Sequence, residues 1–328
     1  MIYVPCDSLD PYYNFALEEH LALSGKIDFP ALFMFWRTDP TIMIGRFQNT
    51  MEEINHNYIE KNNIQVVRRN SGGGAIYTDP GIWQFSFIVK DYERDKIDFK
   101  GFVDPVIKAL KKIGVNAELT GRNDLLVDGK KICGNAQFMK SKSMVHHGSI
   151  LFDANIDNMA SGLRVSEEKI KSKGVKSISA RVANISDCIN SQLTVDEFRS
   201  IMLDELLDDD YKVYHLTEED KLAIKHLYDS KFNTWDWNYG KSPKYTIFKS
   251  KRYAGGKIEF NLNIEDGIIK DCKLYGDFFS LKNVGILEEG LVGIKYRKNE
   301  LKQRLDELDA GSYIHSTGSD DLLDCLID

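Results

Sequence analysis

Three consecutive glycines, Gly72–Gly74, sit inside RRNSGGGAIYTD, Arg68 to Asp79. Glycine costs backbone entropy and weakens a strand, so a run of three predicts a place that needs bare backbone. Successive unhindered N–H groups in a tight turn make a concave nest for anions. Arg68 and Arg69 stand at its entrance and Ser71 adds a hydroxyl donor, so the segment reads as a phosphate or carboxylate site. A hairpin turn with two solvated arginines has the same composition. The arginines on one side and the strand-like Ala75-Ile76-Tyr77 on the other favour the anion site. The spacing matches neither common glycine-rich phosphate loop. Trp235 stands where a Walker A loop needs glycine ahead of Gly240-Lys241-Ser242, and no G-x-G-x-x-G opens a helix after a strand.

A second cluster is GRNDLLVDGKKICGNAQ, Gly121 to Gln137. Lys130 and Lys131 follow a hairpin turn, Asp128-Gly129, so as strand residues they point to opposite faces. One faces solvent and the other the interior; Lys131 leads into the small residues Gly134, Asn135 and Ala136, which let a ligand approach closely. An inward lysine is costly unless an anion pairs with it. An exposed turn is the plainer reading of a Lys-Lys pair. Asn123 and Asp124 offer oxygens suited to Mg2+, although a single carboxylate is a weak metal signal. His146-His147-Gly148 open the next strand without any H-E-x-x-H pattern, so they read as core histidines or site-lining hydrogen-bonders, and zinc is not expected. Cys133 is a small buried hydrophobe or a nucleophile.

The elements that must position these groups follow from periodicity. A helix opens at Asp10-Pro11 and sets Tyr13, Ala16, Leu17, His20 and Leu21 on one apolar face, with Glu18 and Glu19 pointing the other way. Strands are expected at Ala31–Trp36, Thr41–Gly45, Ile64–Arg69, Gly74–Thr78 and Trp83–Val89, with one helix over Met51–Asn62. A helix over Phe99–Lys112 precedes further strands at 115–119, 124–127, 130–139 and 144–152. Thr194 and Glu197 form a capping box. An aromatic, Gly- and Pro-rich seam, Asn233 to Pro243, then separates a large α+β body (1–244) from a small α+β appendage (245–328) that begins with a three-strand meander.

The 328 residues exceed one ordinary core, so two domains are the prior at roughly 100–200 residues each. Lys and Arg total 43 against 50 Asp and Glu, a net charge of -7, which argues against bulk nucleic acid or an anionic membrane as the main partner. The longest apolar run, Ala31–Trp36, is far short of the ~20 residues of a membrane span, and the N-terminus lacks a signal-peptide pattern. The 5 scattered cysteines read as reduced thiols of a cytoplasmic protein.

Taken in order, FWRTDPTIMIGRFQN (Phe35–Asn49), RRNSGGGAIYTD, GRNDLLVDGKKICGNAQ, HHGSILFDAN (His146–Asn155) and KSISARVANI (Lys176–Ile185) resemble the lipoate–protein ligases. The resemblance implies a mixed, largely antiparallel sheet flanked by helices, with a small C-terminal accessory domain. It also implies a two-step reaction. Lipoate and ATP give lipoyl-adenylate, and the lipoyl group then passes to a lysine of a carrier: lipoyl domains of 2-oxoacid dehydrogenase complexes or a glycine-cleavage H protein. Octanoate is a further acid to consider. By the same resemblance the essential lysine is Lys131, ATP contacts fall on Arg69, Gly74, Ala75, Ile76, Tyr77, Asn123, Asp124 and Lys131, and Asp124 is the Mg2+ ligand. The lipoyl pocket falls on Lys131, Ser71, Gly73, His147, Leu17 and Trp36. ATP and Mg2+ are the only cofactors implied; zinc, haem and flavin are not.

The Lys-, Ser- and Gly-rich stretch Ser161–Ala183 reads by itself as a solvated connecting loop; the resemblance implies instead an adenylate-covering loop in which Lys171, Lys173, Lys176 and Arg181 reach phosphate. Many relatives carry Ser where this chain has Cys133. That keeps an ATP-independent octanoyl or lipoyl transferase with an acyl-Cys133 intermediate as the runner-up. Biotin–protein ligase and a non-catalytic lipoate- or carrier-binding module rank lower.

Overall fold

The computed structural model describes residues 1–24, 30–92, 98–121, 123–163, 178–190, 192–239, 247–265, 267–296 and 298–327. Its strands are β1 (Ile2–Tyr3), β2 (Ala31–Trp36), β3 (Thr41–Ile44), β4 (Gln65–Arg68), β5 (Ile76–Thr78), β6 (Ile82–Val89), β7 (Glu118–Thr120), β8 (Asp124–Val127), β9 (Lys130–Lys140), β10 (Ser143–Leu151), β11 (Lys212–Val213), β12 (Ile247–Tyr253), β13 (Gly256–Glu265) and β14 (Ile268–Gly276). Eight of them form one sheet in the order β11-β1-β2-β6-β10-β9-β8-β7. β1 is parallel to both its neighbours, and every other pair is antiparallel.

Side-chain alternation along the strands gives this sheet two apolar faces. Phe33 and Phe35 of β2, with Phe85 and Phe87 of β6, pack against Val103, Val106 and Leu110 of the helix Lys100–Lys112 and Phe198 and Met202 of the helix Val195–Leu206. Leu32, Met34 and Trp36 face the other way, onto Phe15, Leu17 and Leu21 of α1 (Pro11–Leu23). A three-stranded sheet, β4-β3-β5, has its own cluster around Ile42, Ile44, Val66 and Tyr77. The turn from β4 to β5 is the Arg69–Ala75 glycine segment.

Helix α1 starts as its sequence predicts: Asp10 Oδ1 accepts from Tyr12 N at 2.8 Å and Tyr13 N at 3.3 Å, and Pro11 fills the first helical position. Its solvent face does not exist as expected. Glu18 is 0% exposed and Glu19 3%, because α1 lies between the sheet and the C-terminal part of the body. Both carboxylates are therefore partnered. Ser86 and His147 hold Glu18; Lys140 Nζ at 2.9 Å, Asn70 Nδ2 at 2.9 Å and Lys231 hold Glu19. The expected single helix at 51–62 is two, Thr50–Glu53 and His56–Lys61. Asn55 breaks it by capping the second through Tyr58 N.

The appendage is the meander β12-β13-β14 packed on the helices Gly285–Leu291, Lys298–Glu307 and Ser319–Ile327. It docks onto the glycine segment. Gly73 N donates to Phe278 O at 3.1 Å, Gly276 N donates to Phe47 O, and the Phe47 and Phe278 rings stack with centroids 4.7 Å apart. A Cβ on Gly72 would lie 2.1 Å from the Phe278 carbonyl oxygen, and its three nearest atoms all belong to Phe278 and Phe279. Gly72→Ala should therefore leave the body folded and push the appendage off its seat. Solution X-ray scattering should show a larger radius of gyration; a curve superimposable on wild type would refute this contact as the docking point.

Candidate active site

A cavity of about 550 Å3 opens between the two sheets of the body and is closed on one side by the appendage. Of the residues expected to form a site, Trp36, Arg69, Gly73, Gly74, Ala75, Ile76, Tyr77, Asn123, Asp124, Lys131 and His147 line it. Leu17 and Ser71 do not: both are wholly buried behind the wall, Leu17 in the α1 core and Ser71 in a polar network. The lining also includes Phe15, Met43, Gln84, Gly134, Asn135 and Arg181, and three residues from the appendage, Arg252, Asp277 and Phe279. Lys171, Lys173 and Lys176 lie outside the described residues.

The two arginines are not placed as a pair at an entrance. Arg68 turns away from the cavity and is spent on backbone: Nε donates to Trp237 O at 2.9 Å, and Nη1 to Gly45 O at 2.9 Å and Gln48 O at 2.7 Å. Nη2 donates to Thr50 Oγ1 at 2.6 Å. Arg69 does line the cavity, but it too braces the loop, donating from Nε to Ser71 Oγ (3.0 Å), Nη1 to Met43 O (3.0 Å), and Nη2 to Gly72 O (2.9 Å) and Gly74 O (2.7 Å). Burial first, and then repulsion from Arg46 on Arg68 and from Arg68 on Arg69, pushes each guanidinium down to about 10, so both stay charged at neutral pH. Neither forms an ion pair with a carboxylate among the described residues. Arg69, buried in the wall under the glycine loop and only partly offset by Glu18 and Glu53, gives the cavity a standing positive field for an anion.

Lys131 faces this field from the opposite wall while Lys130 is exposed. Its Nζ lies 2.8 Å from Asp124 Oδ1, and its carbonyl accepts from Ala183 N at 3.0 Å, which ties β9 to the segment carrying Arg181. The adjoining hairpin is locked by Asn135 N and Nδ2 donating to Asn123 O at 3.0 and 3.1 Å. For a cation the donor set is thin. Asp124 is one carboxylate already paired with Lys131, and no group of three or more His, Cys, Asp or Glu gathers among the described residues. Such a set fits Mg2+ only as a minor ligand beside phosphate oxygens, the usual way that ion is held.

A buried polar chain runs behind the wall. Arg69 donates to Ser71; Ser71 Oγ is 2.6 Å from His147 Nε2; His147 Nδ1 is 3.0 Å from Glu18 Oε1. Glu18 Oε1 also accepts from Ser86 Oγ at 2.6 Å, and Ser86 accepts from Trp36 Nε1 at 3.1 Å. Ser71, His147 and Glu18 have the spacing of a nucleophile relay, but a nucleophile must reach its substrate and Ser71 is sealed from the cavity. The chain is a strut that fixes the cavity faces of His147 and Trp36. His146, in contrast, is enclosed by Phe85, Phe87, Phe99 and Phe102, and burial holds its imidazole well below the usual histidine range.

Residues 10–207 match the lipoyl protein ligase A/B catalytic domain, and residues 242–326 match the bacterial lipoate protein ligase C-terminus. The chain is 43% identical over 321 residues to the lipoate-protein ligase LplJ of Bacillus subtilis, covering 97% of each. It belongs to the lipoate–protein ligase family. Lipoate–protein ligase 1 of Staphylococcus aureus is 39% identical over 93% of each chain. Among solved structures, P. falciparum LipL1 in complex with lipoate superposes with a TM-score of 0.79 at 25% identity, covering 98% of this chain and 97% of that one. Lipoate-protein ligase A bound with ATP gives 0.60 at 25% identity over 73% of this chain and 98% of that one. The mixed sheet, flanking helices and small C-terminal unit are the architecture of this family.

Within this ligase framework Cys133 sits under the sheet, not in the cavity. It is wholly buried with Phe85, Leu125, Ile132 and Ile150, and burial pushes its thiol up to about 12. At pH 8 such a group is thiolate to about one part in 10⁴. Iodoacetamide at pH 8 should leave Cys133 unmodified in the native protein, whereas half-buried Cys188 reacts first. Peptide mapping that finds Cys133 alkylated as fast as Cys188 would reopen the acyl-cysteine route.

Several lining residues were beyond local sequence reasoning. Arg252, Asp277 and Phe279 carry no local pattern and enter only because the appendage docks where it does. Glu18 carried no local signal either, because the layer that buries it behind the wall comes from distant chain.

Proposed function

We propose that this ligase activates lipoate with ATP to lipoyl-adenylate and pyrophosphate, then transfers the lipoyl group to a lysine of a carrier protein in the cytoplasm. One observation carries the reading: a single cavity combines cationic Lys131 and Arg69 with apolar Phe15, Trp36, Met43 and Ile76. An acid with a long apolar tail and a polyanionic co-substrate need that combination. Its size falls in the ~300–1,000 Å3 range of small-molecule sites. Residues 1–244 are the catalytic unit and 245–328 the accessory unit in this reading.

Joining a carboxylate to an α-phosphate brings two anions together, so catalysis is alignment and charge neutralisation. Lys131 bridges the lipoate carboxylate and the α-phosphate, then polarises the adenylate carbonyl for the incoming amine. Arg69 shapes the loop whose Gly74, Ala75, Ile76 and Tyr77 meet the nucleotide, with Asn123 and Asp124 near its phosphates. Asp124 would be the protein ligand of Mg2+, which would lower the charge on those phosphates. Gly73, Trp36 and His147 contact the lipoyl group; Ser71 and Leu17 support them from behind. Carrier candidates are lipoyl domains of 2-oxoacid dehydrogenases and glycine-cleavage H protein, and octanoate is a second acid to test.

The test is ATP–pyrophosphate exchange without carrier protein. Exchange that requires lipoate, or octanoate in its place, is expected. A folded protein that exchanges with neither acid would remove the adenylating step.

A further inference from the structure

Gly134 lies inside β9, directly across the sheet from Asp124 of β8. Glycine in a strand interior is unfavourable and signals that something comes close to the backbone. A ligand is the usual candidate. Here the space above Gly134 holds this chain's own Lys131. A Cβ built on Gly134 would lie 2.6 Å from Lys131 Nζ and 2.8 Å from Cε, with Asp124 Oδ1 next at 3.8 Å. The lysine reaches that spot because β9 bulges. Leu125 pairs with Cys133 and Leu126 with Lys131, so Ile132 is an extra residue that re-aims its neighbour.

We infer that Gly134 is a positioning residue for Lys131: its missing side chain is the berth in which the ammonium lies, and Asp124 at 2.8 Å draws it there. This rests on the proposed role of Lys131 and adds the residue that sets where that charge sits. The three atoms nearest to an added methyl are side-chain ends, and the Gly134 backbone is not in the left-handed region, so alanine leaves the strand intact. To restore ordinary contact the ammonium must move by roughly 1 Å, a displacement that can cost about 10²-fold in rate.

The experiment compares wild type, Gly134→Ala, Lys131→Ala and the double variant. Lipoate-dependent ATP–pyrophosphate exchange should lose about 100-fold in kcat in Gly134→Ala, with KM for ATP within about twofold and an unchanged melting temperature. Binding of a non-hydrolysable acyl-sulfamoyl adenosine should weaken about tenfold on adding Gly134→Ala to wild type, and less than twofold on adding it to Lys131→Ala, where no ammonium is left to displace. Equal losses in both backgrounds, or unfolding of the double variant, would mean the methyl strikes something other than Lys131 and would overturn the inference. So would a Gly134→Ala enzyme with wild-type kcat. A wild-type protein without exchange would sink the functional reading by itself, whatever Gly134 does.

Discussion

Lys131→Ala should lower lipoate-dependent ATP–pyrophosphate exchange by about 10³-fold or more while leaving the melting temperature within a degree or two. Removing one donor aimed at developing charge in a sheltered site typically costs about 10²–10³-fold. Here the loss is compounded, because Asp124 is left without its partner at 2.8 Å and then repels the phosphates. Stability is spared because the side chain lies at the cavity surface and its ion pair with Asp124 is partly exposed, of a kind worth about 0–1 kcal/mol. The kinetic signature should be a fall in kcat larger than any rise in KM, as expected for an interaction made mainly in the transition state. Exchange within tenfold of wild type would show that another group bridges the two anions, with Arg69 the first to examine.

The legible parts of this site share a cause. Gly72–Gly74, Lys131 and the small residues after it are unusual over a few residues, and their oddity is local: each breaks a propensity that the strands around it obey. The two faces of the large sheet were equally readable, since β2 alternates Phe33 and Phe35 against Leu32, Met34 and Trp36. What escaped is set by distant chain. Glu18 and Glu19 read as solvated because helical period reports one apolar stripe and cannot report a second layer laid over the opposite face. The two-residue strands β1 and β11 carry no period, and their pairing is a consequence of where the chain ends of larger elements meet. Period also misled within β9, where the bulge at Ile132 puts Ile132 and Cys133 into the same core cluster. Arg68 shows the same limit in its sharpest form, since adjacent arginines beside a glycine loop look alike while three of the four partners of Arg69 lie within 5 residues, the fourth 26 away, and those of Arg68 lie up to 170 away.

That difference sets the second large effect. Arg68→Ala should destabilise the protein by about 3–5 kcal/mol, the range for breaking a buried charged hydrogen-bond network. The substitution strands the carbonyls of Gly45, Gln48 and Trp237 and the Thr50 hydroxyl in a region with little water to replace the guanidinium. The bonds from the residue-68 N–H to Asn238 Oδ1 and from Trp237 Nε1 to the residue-68 carbonyl, at 2.9 and 2.8 Å, survive the substitution, so the loss is confined to the partners of the guanidinium. At roughly 2–4 °C per kcal/mol for a unit of this size, the melting temperature should fall by about 10 °C. Exchange activity per folded molecule, measured well below the transition, should stay within a few-fold of wild type because Arg68 does not line the cavity. Arg69→Ala should behave differently. It removes the brace on Gly72 O and Gly74 O, so the loop loses the shape that presents its backbone to the nucleotide, and activity should fall by at least 10²-fold even at low temperature. A melting shift under 3 °C for Arg68→Ala, or an equal loss of activity in both variants, would mean that the two guanidiniums share one task and that the division between scaffold and site drawn from their hydrogen bonds is wrong.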